Sequence, residues 1–170
     1  MKRFYSLPVL FLSATLLSAC EKVNFGDDGG ITEVDNQGRS TGHVDKSDWG
    51  SDATWKKPEL DLFKSLDLDL NGTQQGGVRN IALYPNPVAT QAAFRIGQTG
   101  SATQFAWVVV DRKYKVVMNF VKDVRVSGNV SEYIFDFSSL KKGETYRMYY
   151  VFYTGTNLVS KGHGDIKMLD

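Results

Sequence analysis

Thr145-Tyr146-Arg147-Met148-Tyr149-Tyr150-Val151-Phe152-Tyr153-Thr154 is the stretch on which the fold turns. Side chains alternate along a strand, so Tyr146, Met148, Tyr150 and Phe152 share one face, and Tyr149, Val151 and Tyr153 share the other beside Arg147. Upstream, Val130 to Phe137 aligns Tyr133, Phe135 and Phe137, and Gln91 to Ile96 aligns Phe94 and Ile96. In Gln104 to Asp111, Phe105, Trp107 and Val109 face one way while Ala106, Val108 and Val110 make the opposite face apolar too. That marks a central strand covered on both sides. Val78 to Tyr84, Tyr114 to Lys122 and Leu158 to Leu169 add further strands, the last interrupted near Gly162 and Gly164. Leu66, Leu68 and Leu70 alternate with Asp67, Asp69 and Asn71 up to Gly72, a half-buried strand pattern. These runs, with no helical period, predict an all-β fold, an antiparallel β-sandwich of about seven to eight strands over residues 58–170.

From Glu21 to Lys57 the chain is rich in Gly, Asp, Asn, Ser and Thr, as in Gly26-Asp27-Asp28-Gly29-Gly30, and its apolar residues are sparse. So little apolar surface offsets the entropy of ordering, and a flexible tether over residues 21–57 is expected. Roughly 37 residues of such chain would span about 30–35 Å. Trp49 and Trp55 are exceptions, expected to pack onto the domain.

Residues 1–20 begin with Lys2 and Arg3, continue in a mostly apolar run from Phe4 to Leu17 and end in small residues. The run falls short of the roughly 20 residues that cross a bilayer, and Pro8 interrupts it, so it reads as a signal peptide. Leu17-Ser18-Ala19-Cys20 resembles the lipobox of bacterial lipoproteins. That resemblance implies cleavage before Cys20, lipid on its sulfur, and anchoring firm enough to persist when two or three acyl chains are present. By the same analogy Glu21, where Asp often signals inner-membrane retention, directs the protein to the outer membrane. Cys20 is the single cysteine, so the mature domain is held by its core without a disulfide. Removing Lys2 and Arg3 changes 20 Lys and Arg against 19 Asp and Glu to 18 against 19, a formal charge of −1 that gives no footing for nucleic acid.

A second resemblance runs from Ile81 onward for about 90 residues. Leu83-Tyr84-Pro85-Asn86-Pro87-Val88, Val109-Val110-Asp111, Phe135-Asp136-Phe137-Ser138-Ser139-Leu140 with Gly143 and Tyr146, and Leu158-Val159-Ser160-Lys161 follow one another as in the C-terminal sorting domain of type IX secretion cargo. It implies an immunoglobulin-like sandwich. Tyr114 stands where that family usually places a Gly, and Glu144 with Thr145 lengthens its usual Gly-to-Tyr spacing by one. Because sorting domains act from the C-terminal end and Cys20 anchors the other, the resemblance is carried over for the fold.

Candidate chemistry is thin. Asp67, Asp69, Asn71 and Gly72 match the opening of a calcium loop, but its twelfth position is Val78 where a bidentate acid is needed, and the alternating leucines explain them as a strand. His43 and His163 are the two histidines. Ser160, His163 and Asp165 supply triad residue types too close together on one strand to converge, and neither histidine has a companion at metal-ligand spacing. Glu132 and Asp136 share a strand face about 13 Å apart, too far for a glycosidase pair. Arg147, Tyr149 and Tyr153 form the one possible binding stripe, for a glycan or a protein partner if it is uncovered; covered by the neighbouring sheet or by Trp49 and Trp55, it is second-face core, which is the preferred reading. The expectation is therefore a lipid-anchored outer-membrane lipoprotein, non-catalytic and without a cofactor or metal, whose β-sandwich serves binding or assembly with an envelope protein or glycan. The alternatives are a type IX cargo-like protein and a carbohydrate-binding module of a glycan-uptake system.

Overall fold

The computed structural model describes residues 21–26, 30–98, 103–126 and 128–170. Cys20 and the signal segment lie outside them. Seven strands form: β1 (Val78–Tyr84), β2 (Gln91–Gln98), β3 (Thr103–Val110), β4 (Val116–Val126), β5 (Val130–Asp136), β6 (Thr145–Thr154) and β7 (Asn157–Lys167). They pair antiparallel in a three-stranded sheet, β1-β2-β5, and a four-stranded sheet, β4-β3-β6-β7. The all-β sandwich expected from strand phase is what forms. β1–β2, β3–β4 and β6–β7 are hairpins within a sheet, and the chain crosses between sheets from β2 to β3, from β4 to β5 and from β5 to β6.

Between the sheets lie Phe94, Ile96, Phe105, Trp107, Met148, Tyr150 and Phe152, the inward sets anticipated from alternation, with Tyr133 and Phe135 packed on them. Ring stacking is continuous, from Phe135 to Phe94 at 5.7 Å, Phe94 to Phe105 at 5.4 Å and Phe105 to Phe152 at 4.9 Å. Such offset pairs add to the area that their burial removes from water.

Residues 21–57 correct the expectation of a flexible tether. Trp49 and Trp55 pack onto the domain as expected, but Val23, Phe25 and Ile31 are buried too; Val23, Phe25 and Trp55 form a third layer on the outer face of β3 and β6, and Trp49 reaches the core between the sheets. Composition undercounted its order for two reasons. Most of its few apolar side chains meet a prepared socket, Val44 being an exposed exception, and Asp residues bond neighbouring N–H groups, as Asp35 does for Gln37 and Arg39, so the chain is turned locally rather than left free. The stretch Trp49 to Asp52 runs beside the edge of β7, where the Trp49 and Asp52 N–H groups donate to the carbonyls of His163 and Lys161 at 2.8 and 2.9 Å. A sheet edge that would otherwise stand open is thereby closed.

Gly162 and Gly164 do not break β7, which is continuous through both. A Cβ on Gly164 would stand 2.2 Å from the Trp49 ring, and one on Gly162 would stand 1.9 Å from the Gly50 carbonyl oxygen. The glycines are there because another piece of chain lies flat on the strand.

Leu66 to Asn71 is a second correction. A short helix α1 (Lys57–Leu62), entered through Pro58 and Glu59, is followed by a 3-10 turn over Lys64–Leu66 and by Asp67 in the left-handed region at φ 53°. The alternating leucines do turn inward, Leu70 being buried and Leu66 and Leu68 partly so. They pack on the outer face of β3 and β6 instead of pairing as a strand.

Candidate functional site

The same outer face decides the fate of the Arg147, Tyr149 and Tyr153 stripe. Trp55, Phe63, Phe25 and Leu70 cover it, leaving Tyr149 2% and Tyr153 5% exposed, and so it offers no glycan platform. Trp55 meets Tyr149 edge-on at 5.6 Å and stacks on Phe63 at 5.3 Å. Arg147 turns to the buried Asp165, donating from Nε and from a terminal nitrogen at 2.6 Å each, and a terminal nitrogen also reaches the Asn24 carbonyl. The stripe is a covered second core, because β6 is a central strand of its sheet and residues 21–70 supply the missing layer.

The other candidates are kept apart by the fold. Ser160 and His163 project from opposite faces of β7, being three residues apart on one strand. The Ser160 Oγ lies 3.5 Å from the Ser51 Oγ, His163 Nδ1 is 2.8 Å from the Asp52 carboxylate, and Asp165 is held by Arg147. Asn71 spends its amide oxygen on the Trp55 N–H and on Lys161 Nζ, which is itself fully buried against the Trp55 ring. His43 is exposed, Tyr84 donates its hydroxyl to Glu132, and Asp136 caps the Ser138 N–H. Among the described residues, no group of three or more His, Cys, Asp and Glu converges on a common point, and no helix is long and apolar enough to cross a membrane.

Asp48 forms the most unusual electrostatic contact. Its two oxygens accept from the N–H groups of Asp165 and Thr32, both at 2.8 Å, tying residues 31–48 to β7. Burial, with the Asp165 carboxylate close by, pushes Asp48 up to about 7, and burial also raises Asp165 against the pull of Arg147. A carboxyl whose folded value lies above its ordinary 3.8 stabilises the fold fully below that value and loses this contribution as the pH climbs through about 7. Over this window the loss should reach about 2–4 kcal/mol at about 1.36 kcal/mol per unit. Urea midpoints at about pH 4.5 and 7.5 measure it. Asp48→Asn should flatten the difference; an equal difference in the variant would contradict the assignment.

What the strands bring together instead is one end of the sandwich. The β3–β4 turn (Asp111 to Lys115), the β5–β6 loop (Phe137 to Glu144), the segment after β7 and residues 21–25 all meet there. Val23 N–H donates to the Arg112 carbonyl at 2.9 Å, and the Phe25 ring lies between the guanidinium groups of Arg112 and Arg147, at 5.4 and 5.5 Å. Beside them opens a groove of about 510 Å³ bordered by Phe25, Arg112, Lys113, Lys141, Glu144 and Tyr146. Asp111 is committed to the N–H groups of Lys113 and Lys115, and Glu144 to Lys141 at 2.8 Å. Tyr114 reaches φ 59° in this turn although it carries a Cβ, its ring stacking on Tyr149 at 6.2 Å and its hydroxyl donating to Glu59. The left-handed backbone expected of a glycine at this turn is thus adopted here by a tyrosine, held by its ring and hydroxyl contacts.

The sequence reading missed this end. Arg112, Lys113 and Lys115 in one turn are separated in the chain from Lys141-Lys142, and the near-neutral total charge conceals their convergence. Their one visible signal was position, each group sitting in a turn between strands of opposite direction. No protein-family model matches the chain, and a search of curated proteins finds no match either.

Proposed function

We propose that the chain is a lipid-anchored lipoprotein of the outer membrane, whose non-catalytic sandwich serves binding or assembly at the membrane surface. The observation that carries this reading joins sequence to geometry: the lipobox-like Leu17-Ser18-Ala19-Cys20 ends three residues before Val23, the first residue bonded into the sandwich. Three residues of extended chain reach at most about 11 Å. A lipid on Cys20 would therefore hold the folded domain beside the bilayer rather than on a long leash.

Fractionation of cells expressing Cys20→Ala tests the reading. The lipoprotein should move almost wholly from the membrane to the soluble fraction, since the anchor energy resides in the acyl chains. The sandwich shape and the turn at Tyr114 also support the type IX cargo reading, and the same experiment separates the two. A cargo protein reaches the surface without Cys20, whereas a lipoprotein lacking it loses its membrane; retention of Cys20→Ala in the membrane would refute the anchor.

A further inference from the structure

We infer that the end of the sandwich carrying Arg112, Lys113, Lys115, Lys141 and Lys142 is a membrane-facing surface that binds the anionic phospholipid headgroups of the leaflet holding the Cys20 lipid. The inference rests on the lipoprotein reading and adds to it an orientation and a lipid chemistry.

Charge and topology agree on it. All five of these side chains are exposed, as is Lys22. Of the carboxylates beside them, Asp111 is engaged with its own turn and Glu144 with Lys141, while the exposed Asp170 lies by Gly143 with its backbone oxygen accepting from Lys142, so the end keeps a net positive charge. Among the described residues, the turns of the opposite end, Gly128-Asn129 and Thr154 to Asn157, are uncharged, and the exposed Arg79 and Arg125 near it stand on strands rather than in turns. Two apolar side chains stand at the basic end, Val116 at 44% and Leu169 at 47% exposure. Cations ringing exposed apolar groups suit the boundary between headgroups and acyl chains. The path of residues 21–25 adds the decisive constraint. Val23 and Phe25 are fixed on Arg112 and Arg147, so the point of lipid attachment cannot lie more than about 11 Å from the docked Val23. That is close to the Debye length of roughly 8–10 Å, within which surface charges attract.

The test uses the lipidated protein reconstituted in vesicles of phosphatidylcholine alone or with about one third phosphatidylglycerol, footprinted with an amine-acylating reagent and read by mass spectrometry. In the anionic vesicles at about 0.05 M salt, Lys113, Lys115, Lys141 and Lys142 should be labelled roughly fivefold more slowly than in neutral vesicles, and about 0.5 M salt should abolish the difference. Lys46, which belongs to the segment preceding Trp49 and not to the basic end, is the internal reference. A Lys113→Gln, Lys141→Gln, Lys142→Gln variant should lose the protection of Lys115 while keeping its circular dichroism spectrum. An acylated N-terminal peptide together with equal labelling in both vesicles would overturn the orientation and leave the anchor standing. A peptide without acyl mass would overturn the anchor reading, and this inference with it.

Discussion

Trp49→Ala is expected to lower the unfolding free energy by about 3–5 kcal/mol, the range for removing a large buried aromatic side chain. Trp49 is 9% exposed, stacks near-parallel to Tyr150 at 6.4 Å and meets Phe94 at 5.8 Å. The ring thus fills the main core from a segment that composition marks as a linker. The same substitution in a flexible linker would fall within about 0.5 kcal/mol of the parent. Urea denaturation followed by far-ultraviolet circular dichroism distinguishes the two without relying on tryptophan emission. Gly164→Ala attacks the same contact from the strand side. Its added methyl would collide with the indole, so it should also cost several kcal/mol, as overpacking of rigid neighbours does. If both variants unfold with the parent, the third layer does not hold the sandwich.

Arg147→Ala should be comparably severe, at about 3–5 kcal/mol. The Asp165 side chain is 1% exposed and Arg147 is its cationic partner; removing the guanidinium leaves a buried carboxylate beside the Asp48 carboxyl. It also frees the Asn24 carbonyl and one side of Phe25, so the loss extends to the entry of the chain. Most of the cost is desolvated charge, and a second substitution can separate that from lost packing. Asp165→Asn in the Arg147→Met background should recover more than half of the stability, whereas a loss caused mainly by packing would show no recovery. The Arg147→Ala protein should also regain stability in acid, where protonation of Asp165 removes the uncompensated charge.

Strand phase carried most of the fold. The aromatic alternation of Thr145 to Thr154 identifies β6 with its observed limits, and the double apolar face of Gln104 to Asp111 marks β3 as covered on both sides. Alternation failed at Leu66 to Asn71 because a period of two shows only that every second residue is apolar. A 3-10 turn followed by a left-handed Asp67 presents the same leucines to a neighbour without a ladder. Composition failed at residues 21–57 for a related reason. It measures how much apolar surface a segment has, not whether the rest of the chain has left a socket for it, and Gly162 and Gly164 read as interruptions until their visitor is known. Asn86 shows the same limit. Suited by sequence to a turn between Pro85 and Pro87, it is fully buried and bridges Thr32, Asp165 and Lys167. The basic end required strand order, since only the sheet pairing brings the turns after β3, β5 and β7 together.

The stitching of residues 48–52 onto β7 also bears on how the molecule comes into being. Asp52 and His163 are 111 positions apart, and Asp48 meets Asp165 across 117. The contacts between residues 48–52 and β7 cannot form until the last strand has been synthesised, so this part of the domain cannot mature progressively from its leading end. Closure over such separations raises the contact order and slows the search. Until residues 49–52 dock, β7 has an open edge, the condition in which chains aggregate. A chain whose two ends must meet in this way is exposed to aggregation until they do.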